Sequence, residues 1–417
     1  MNKKISLVAL LAGVSILSAQ EAPEATPVVN IGGTKISMYG FVQLNAVYED
    51  GTRESASYNW SEFAPSKAED GEGSFMFNTN QTRIGINLSG PQKESGAEVS
   101  GRFETDFANN QERNAHGVGS AFRIRHAFGQ LKFKDLGLTM MLGQANDLIG
   151  VLTAPTLNQG GLRSQGSIGT RRPMFRLTQA LGPIEVSAAV TEDVNSSVMP
   201  AYQGSLKAKL PATWADEKQS VELTLAGHYA AEEVAARDSA GIAKKDKVGD
   251  GPTSWSGVAS LSLPVIKVLN FSGEMFYGQN LQRYSRGSLN ISAKTATGAE
   301  LDKGIQSIGG WGALNLKLPA GFSLAGGLGV EAMDDNRKVL STPSVPATES
   351  TAAIAAVNNP DKNMSIFANI KYNVAETVFV GFEYANLSTD YADRANGDEI
   401  KSGSLNRFEL VFNYGFK

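Results

Sequence analysis

Charged and bulky apolar residues alternate in the segment 99–129, and most of its cations are arginines. The alternating charged residues are Arg102, Glu104, Asp106, Arg123 and Arg125. A guanidinium group presents a fixed fork of donors that fits a carboxylate or a phosphate. Within a narrow aqueous passage such groups would attract small anions. The same arginines could instead pair with the neighbouring acids and stiffen a wall.

Further arginines follow the same pattern at Arg83, Arg172 and Arg176. Successive residues of a β-strand point to opposite faces, so each segment would have one charged face and one apolar face. The acids available for pairing are Glu104, Asp106, Glu185 and Glu222. We expect both roles to occur. The sequence favours pairing for Arg102 and exposure in a passage for Arg125, Arg172 and Arg176.

Composition excludes several other kinds of chemistry. The 417 residues include no cysteine and three histidines far apart in sequence, so no thiolate or histidine metal site is predicted. No nucleophile elbow, phosphate-binding loop or zinc-protease motif is present. The net charge of −4 argues against nucleic acid as a partner. We therefore expect no cofactor and no enzymatic activity.

The N-terminus resembles an export signal. Lys3 and Lys4 precede an apolar run over 5–17, which is too short to span a bilayer, and Ala19 ends a stretch of small residues. We predict a cleaved signal peptide over 1–19 and a periplasmic linker over 20–34. The alternative, a membrane anchor, is disfavoured by the short apolar run and by the prolines that follow it.

The rest of the chain, 35–417, reads as an all-β structure of about sixteen strands. Long polar connections alternate with short turns that contain Gly, Pro or Asp. An outer-membrane barrel has this asymmetry, because its short turns face the periplasm and its long loops face outward. A soluble sandwich has no reason for it. We therefore predict a transmembrane antiparallel β-barrel that resembles a porin.

The last predicted strand, 405–416, fits the same interpretation. Large apolar side chains occupy every second position and polar ones lie between them. The apolar set is Phe408, Leu410, Phe412, Tyr414 and Phe416. Such a face is typical of a strand that contacts lipid and ends in an aromatic girdle.

The connection 146–170 differs from the other long ones because it mixes apolar residues with Gly and Pro. We predict that it folds into the barrel and narrows it, with Asp147 and Arg163 helping to set selectivity. The alternative is that it contacts a neighbouring subunit.

Four segments resemble the outer-membrane porins of the DcaP-like family. They are MYGFVQLNAVYE (38–49), NQTRIGINLSG (80–90), VSGRFETDF (99–107) and FRIRHAFGQL (122–131), the last followed by LGQ (142–144). The resemblance implies a sixteen-stranded, trimeric channel that favours small anionic solutes such as dicarboxylates. It also implies that Arg83, Arg102, Arg123 and Arg125 lie in the pore. Some relatives carry a helical periplasmic extension, for which residues 21–34 are too few.

We therefore expect a passive porin in the outer membrane of a Gram-negative-type bacterium. Its partners would be outer-membrane lipid, small anions and two further copies of itself in a homotrimer. The alternatives are a general or cation-preferring porin, and a barrel that serves structure or adhesion. The first long loop is acidic and the net charge is negative, so both oppose simple attraction of anions.

Overall fold

The computed structural model describes residues 28–51, 63–64, 73–91, 96–108, 113–114, 117–118, 121–158, 160–192, 199–231, 233–237, 243–250, 253–285, 306–333, 360–391 and 402–416. The predicted signal peptide and residues 20–27 of the predicted linker lie outside them. So do most of the acidic first loop and large parts of the other long loops. Within these ranges no helix is long and apolar enough to cross a membrane.

Twenty-two strands form in chain order. They are β1 (Val28–Ile31), β2 (Thr34–Glu49), β3 (Ser74–Asn78), β4 (Arg83–Ser89), β5 (Ala97–Asp106), β6 (Arg113–Asn114), β7 (Gly117–Val118), β8 (Arg123–Phe133), β9 (Leu138–Asn146), β10 (Arg171–Leu181), β11 (Ile184–Thr191), β12 (Ala201–Pro211), β13 (Ser220–Ala230), β14 (Glu233–Arg237), β15 (Ala243–Asp250), β16 (Ser254–Ile266), β17 (Leu269–Gln279), β18 (Gln306–Lys317), β19 (Phe322–Met333), β20 (Pro360–Ala375), β21 (Val378–Tyr391) and β22 (Gly403–Phe416).

The strands close into one antiparallel barrel of 16 strands, as the sequence predicts. β3 and β4 together form one broken barrel strand, while β6–β7 and β14–β15 are separate two-stranded hairpins. Closure comes from the first and last barrel strands, because Gly40 of β2 pairs with Phe416 of β22 and Glu49 pairs with Arg407. A closed barrel leaves no unpaired edge along its wall.

The two faces of the wall differ as the alternation predicts. On β2 and β22, Leu44 pairs with Phe412 on the outside, and both side chains are exposed. Gln43 and Asn413 pair on the inside and are buried. The exterior is therefore an apolar surface suited to lipid, and the interior is polar.

Connections at the two ends of the barrel differ in length. One end, here called the turn end, has short links such as 134–137, 182–183 and 267–268. The other, the loop end, has the long connections, including 147–170 and 280–305. The first long connection comes back to the barrel at Ala64, whose N–H donates to Thr389 Oγ1 at 2.9 Å.

Two local features differ from the expected strands. The strand predicted near 75–88 breaks at 79–82, so that β3 pairs with residues 45–49 of β2 and β4 pairs with 35–41. Across the break, the backbone N–H of Gln43 donates to Thr82 Oγ1 at 3.2 Å. Residues 28–31, inside the predicted linker, form β1 and pair with residues 34–37.

Candidate functional site

A β-bulge brings the arginines of β8 to the inside of the barrel. Glu104 of β5 pairs with His126 and Thr105 pairs with Ile124, so Arg125 is the extra residue between them. An extra residue shifts the alternation by one position. Arg123 before the bulge therefore shares the inner face with His126 after it, and Arg125 also reaches the acids of that face.

The bulge also corrects the sequence interpretation of Phe128. We expected the phenylalanines of this segment to face lipid, and Phe103 and Phe122 are indeed exposed on the outside. Phe128 lies beyond the bulge and instead packs against the inner cluster of Met141, Ala145, Leu148, Met174 and Ala189. Sequence alternation alone could not show where the phase of the strand changes.

The arginines Arg83, Arg102, Arg123 and Arg125, with the acids Glu104 and Asp106, form what we call the arginine wall. Arg123 holds Asp106 with two parallel bonds, Nε to Oδ1 at 2.9 Å and Nη2 to Oδ2 at 2.6 Å. Arg125 joins the two acids, since its Nε lies 2.6 Å from Glu104 Oε1 and its Nη1 lies 2.9 Å from Asp106 Oδ2. Such charge-assisted bonds are strong and directional.

Glu104 is held from three sides. Besides Arg125, it accepts a bond of 2.7 Å from the Tyr39 hydroxyl and lies 3.6 Å from Arg83 Nε. Gly85 makes this possible, because a Cβ there would lie 2.2 Å from the Tyr39 ring. Tyr39 is a functional residue that sequence reasoning missed. The glycine on an otherwise charged inner face was the available signal.

The acids of the arginine wall are hidden behind its cations. The side chains of Glu104 and Asp106 are 6% and 1% exposed, whereas that of Arg83 is 29% exposed. Arg102 bonds Asn87 Oδ1 at 3.0 Å, and its guanidinium lies 5.6 Å from the Tyr39 ring. The expected roles are therefore exchanged: Arg125 is the centre of the ion network, and Arg102 bonds an amide.

Asp147 and Arg172 lie together at the base of the connection 147–170 and are both buried. Arg172 Nε is 3.1 Å from Asp147 Oδ1, and Asp147 Oδ2 accepts from the Thr170 N–H at 2.9 Å. Gln203 Nε2 donates to Asp147 Oδ1 at 2.7 Å. This pair joins the two ends of the connection, so neither group presents its charge to a passage as we expected.

The other two predicted arginines stand apart from the pairs above. Arg176 is half-buried on the inner face of β10, and its Nη2 lies 3.2 Å from Met141 Sδ. Arg163 is half-buried in the connection and interacts electrostatically with Arg171, which also interacts with Arg123 and Arg125 of the arginine wall. The connection thus brings another cation towards this wall. The sequence did not single out Arg171.

The connection 147–170, which we call the inner loop, crosses to the opposite side of the barrel. Asn158 Nδ2 donates to Glu383 Oε1 at 2.6 Å, and Asn369 Nδ2 donates to the Pro155 carbonyl at 2.8 Å. Near its far end, Asn363 Nδ2 donates to the Ser164 carbonyl at 2.8 Å. These partners lie on the inner faces of β20 and β21.

Glycines let the inner loop lie directly on the wall. A Cβ on Gly329 of β19 would lie 2.0 Å from the Gln165 carbonyl oxygen, and one on Gly166 would lie 2.1 Å from the Gly310 carbonyl oxygen. Gly166 also has a φ of +105°, which residues with a side chain rarely adopt. The backbone of the inner loop therefore touches the backbone of the wall.

A second segment, 280–285, also folds inward and packs against the inner loop. The Gly169 N–H donates to the Tyr284 carbonyl at 2.6 Å, and the Arg172 guanidinium lies 4.1 Å from the Tyr284 ring. His228 stacks on the other side of this ring at 3.7 Å, and its ring nitrogens lie 2.6 Å and 2.9 Å from Ser256 Oγ and Ser254 Oγ. Sequence reasoning treated 279–304 as an ordinary outer loop and missed this support.

The seam where the barrel closes carries a second buried ion network. Arg407 Nη1 donates to Glu49 Oε1 at 3.0 Å, and its Nη2 donates to Glu409 Oε2 at 2.9 Å. All three side chains are buried. The residues lie far apart in sequence, so only the closure of β2 on β22 brings them together. Among the described residues, no group of three or more acidic or histidine side chains could hold a metal ion.

Comparison with known proteins supports the fold. No protein-family model matches the sequence, and no curated protein matches it. The outer membrane channel DcaP of Acinetobacter baumannii has a similar structure, with a TM-score of 0.66 and 19% identity over 93% of this chain and 99% of that one. The fold expected from the resemblance to DcaP-like porins is thereby confirmed.

Two further porins have the same fold. OmpF of Salmonella typhi, in a complex with daunomycin, has a TM-score of 0.56 and 11% identity over 94% of this chain and 100% of that one. An anion-selective porin from Comamonas acidovorans has a TM-score of 0.54 and 11% identity over 92% and 100%. At these identities the similarity describes the fold, which is that of outer-membrane porins.

Proposed function

We propose that this protein is an outer-membrane porin that passes small hydrophilic solutes by diffusion and prefers small anions such as dicarboxylates. One observation carries the preference: on the arginine wall the guanidinium groups stand in front of the acids. Glu104 and Asp106 are buried by their partners, and arginines outnumber them. A solute that passes this wall would meet Arg83 and Arg102 before it met a carboxylate.

The inner loop would narrow the passage beside the arginine wall. Its anchor at Asp147 and Arg172 lies near one side of the barrel, and its contacts with Glu383 lie on the other. In this proposal Asp147 and Arg172 position the inner loop. Arg163 adds a cation opposite the arginine wall, and Arg176 faces the interior below it.

The second candidate is a general or cation-preferring porin. It is favoured by the net charge of −4 and by the acids of the opposite side, where Glu383 interacts with Glu409 and no cation bonds it among the described residues. These acids are buried and bonded to the inner loop or to Arg407, so they present little charge to a solute. The anion preference therefore has the stronger support.

The remaining parts of the proposal concern placement and assembly. The apolar exterior suits a bilayer, with the turn end in the periplasm and the loop end outside. Export would use the signal peptide over 1–19. A homotrimer is supported by the porin fold, and OmpT of Vibrio cholerae, another porin of similar structure, is described in a trimer form. We regard the protein as a channel and propose no catalytic step.

Recording from planar bilayers tests the function. The purified protein is inserted, and the reversal potential is measured in a gradient of potassium chloride. We expect a sign that shows preference for chloride, and a shift towards no preference in the double variant Arg83→Gln, Arg102→Gln. Lys132→Gln is the matched control, since it removes an inner-face cation outside the arginine wall.

Two results would count against the proposal. A preference for potassium that both variants leave unchanged would support the cation-preferring alternative. Folded, heat-modifiable protein that never conducts would support a structural or adhesive barrel.

A further inference from the structure

A cavity of about 340 Å³ opens near the turn end of the barrel, between β13, β16, β17 and β18. Its lining includes Ser262, Asn270, Asn315 and Lys317, which share the inner face of the wall. Trp214 fixes one side of it, because its indole N–H donates to the carbonyl of Pro264, a lining residue, at 3.0 Å. The volume is within the range of small-molecule sites.

Polar groups in this cavity are available to a ligand. Within the part of the chain that the structure describes, the Asn315 amide and the Lys317 ammonium make no side-chain hydrogen bond or ion pair. Gln219 donates through Nε2 to the Lys267 carbonyl at 3.0 Å, while its Oε1 is buried without a partner. A buried polar atom without a partner is rare, and a bound molecule or water would satisfy it.

Charge in the cavity favours an anion. Lys267 and Lys317 are both in the lining, which contains no carboxylate. The nearest acids are already engaged, because Asp216 lies 3.2 Å from Lys267 Nζ and Glu222 lies 2.7 Å from Lys207 Nζ. A carboxylate would lie beside the lysines, and the amide and hydroxyl groups would bond hydroxyls along the same molecule.

We propose that this cavity is a second binding site, on the periplasmic side of the passage, for a small hydroxylated carboxylate of the sugar-acid class. The proposal rests on the porin function, which brings such a solute to the interior. It is independent of the arginine wall, because the cavity is built on β13 and β16–β18, whereas that wall is built on β4, β5 and β8. A solute would pass the arginine wall and then meet this site.

Ligand-induced interruptions of single-channel current test the site. Gluconate is the probe, and hexanoate is its control, since it has the same chain length and charge but no hydroxyls. We expect longer interruptions with gluconate than with hexanoate. Lys317→Gln should shorten both about threefold, a small effect because the side chain is exposed. Asn315→Leu should shorten only those of gluconate, by about fivefold.

Matched variants separate this site from the arginine wall. Lys132→Gln removes a cation near the turn end of the opposite side of the barrel, and it should leave the gluconate interruptions unchanged. The proposal is overturned if Lys317→Gln and Asn315→Leu behave like wild type, or if gluconate and hexanoate block alike. A protein that conducts with chloride preference in that case loses only this site. A protein that does not conduct refutes the porin function itself.

Discussion

The guanidinium of Arg125 lies between the two acids of the arginine wall, 2.6 Å from Glu104 Oε1 and 2.9 Å from Asp106 Oδ2. It reaches both because it is the unpaired residue of a β-bulge. Bulges are common beside functional sites, where they redirect a side chain. One arginine therefore neutralises much of the acid that would otherwise face a passing anion.

Loss of this arginine should be costly. Arg125→Leu leaves two buried carboxylates short of a partner, and we expect a loss of about 3 kcal/mol in the free energy of unfolding. The remaining uncompensated charge should also move the reversal potential towards potassium. The measurements are the temperature at which the folded band disappears on a gel and the reversal potential in bilayers.

Arg102→Leu is the control for that experiment. Its guanidinium bonds the Asn87 amide and no carboxylate among the described residues, so the stability loss should stay below about 1 kcal/mol. Equal losses in the two variants would contradict the central role of Arg125.

Gly329 provides a test of how the inner loop rests on the wall. In Gly329→Ala the new Cβ would lie 2.0 Å from the Gln165 carbonyl oxygen, and backbone atoms cannot easily move away. We expect the inner loop to shift, the conductance to rise, and the folded barrel to lose about 1–3 kcal/mol. Single-channel conductance and thermal unfolding measure the two effects.

Gly257→Ala is the matched control, since a Cβ there would meet no atom within 4 Å. It should conduct and unfold like wild type. A Gly329→Ala channel with unchanged conductance would show that this contact does not hold the inner loop.

Glu383 anchors the inner loop at a different point. Its carboxylate accepts bonds from the Leu157 N–H, from Asn158 Nδ2 at 2.6 Å and from Asn369 Nδ2 at 2.9 Å. Glu383→Ala would leave the donors of the inner loop without an acceptor. We expect a noisier open current with frequent transitions, recorded at constant voltage.

Glu376→Ala is the comparison for this variant, because it removes an acid in the turn between β20 and β21. Its current should be as quiet as that of wild type. Similar noise in both variants would mean that the loss of charge, and not the release of the inner loop, causes the transitions.

The turn 212–219 offers a test by pH. The Lys218 backbone N–H and the Lys267 ammonium hold the pKa of Asp216 below its usual value of 3.8. A lowered pKa means that the ionised carboxylate stabilises the folded form above pH 3.8, and that this contribution is lost as the pH falls through the folded-state value. Asp216→Asn should therefore lower the melting temperature slightly at pH 7, and the difference should vanish below pH 3. Melting curves across this range decide; a constant difference would exclude the linkage.

Much of the architecture could be predicted from the chain itself. Alternation on β2 and β22 placed Leu44 and Phe412 outside, and alternating connection lengths gave the number of strands and the two ends of the barrel. These are local properties, because a strand has a period of two and a barrel wall has one apolar face. The arginines of the arginine wall were found by the same rule.

Only the tertiary structure decided what those arginines do. The bulge at Arg125 changes the phase of β8, and no residue type announces it. Arg172 looks like an arginine facing the passage in sequence, yet Asp147 and Tyr284 bury it once the inner loop folds back. Arg407 and Glu49 meet only because the barrel closes. Sequence thus determines the faces of each strand, while pairing across strands and loops decides which charges remain exposed, because burial and partners depend on distant residues.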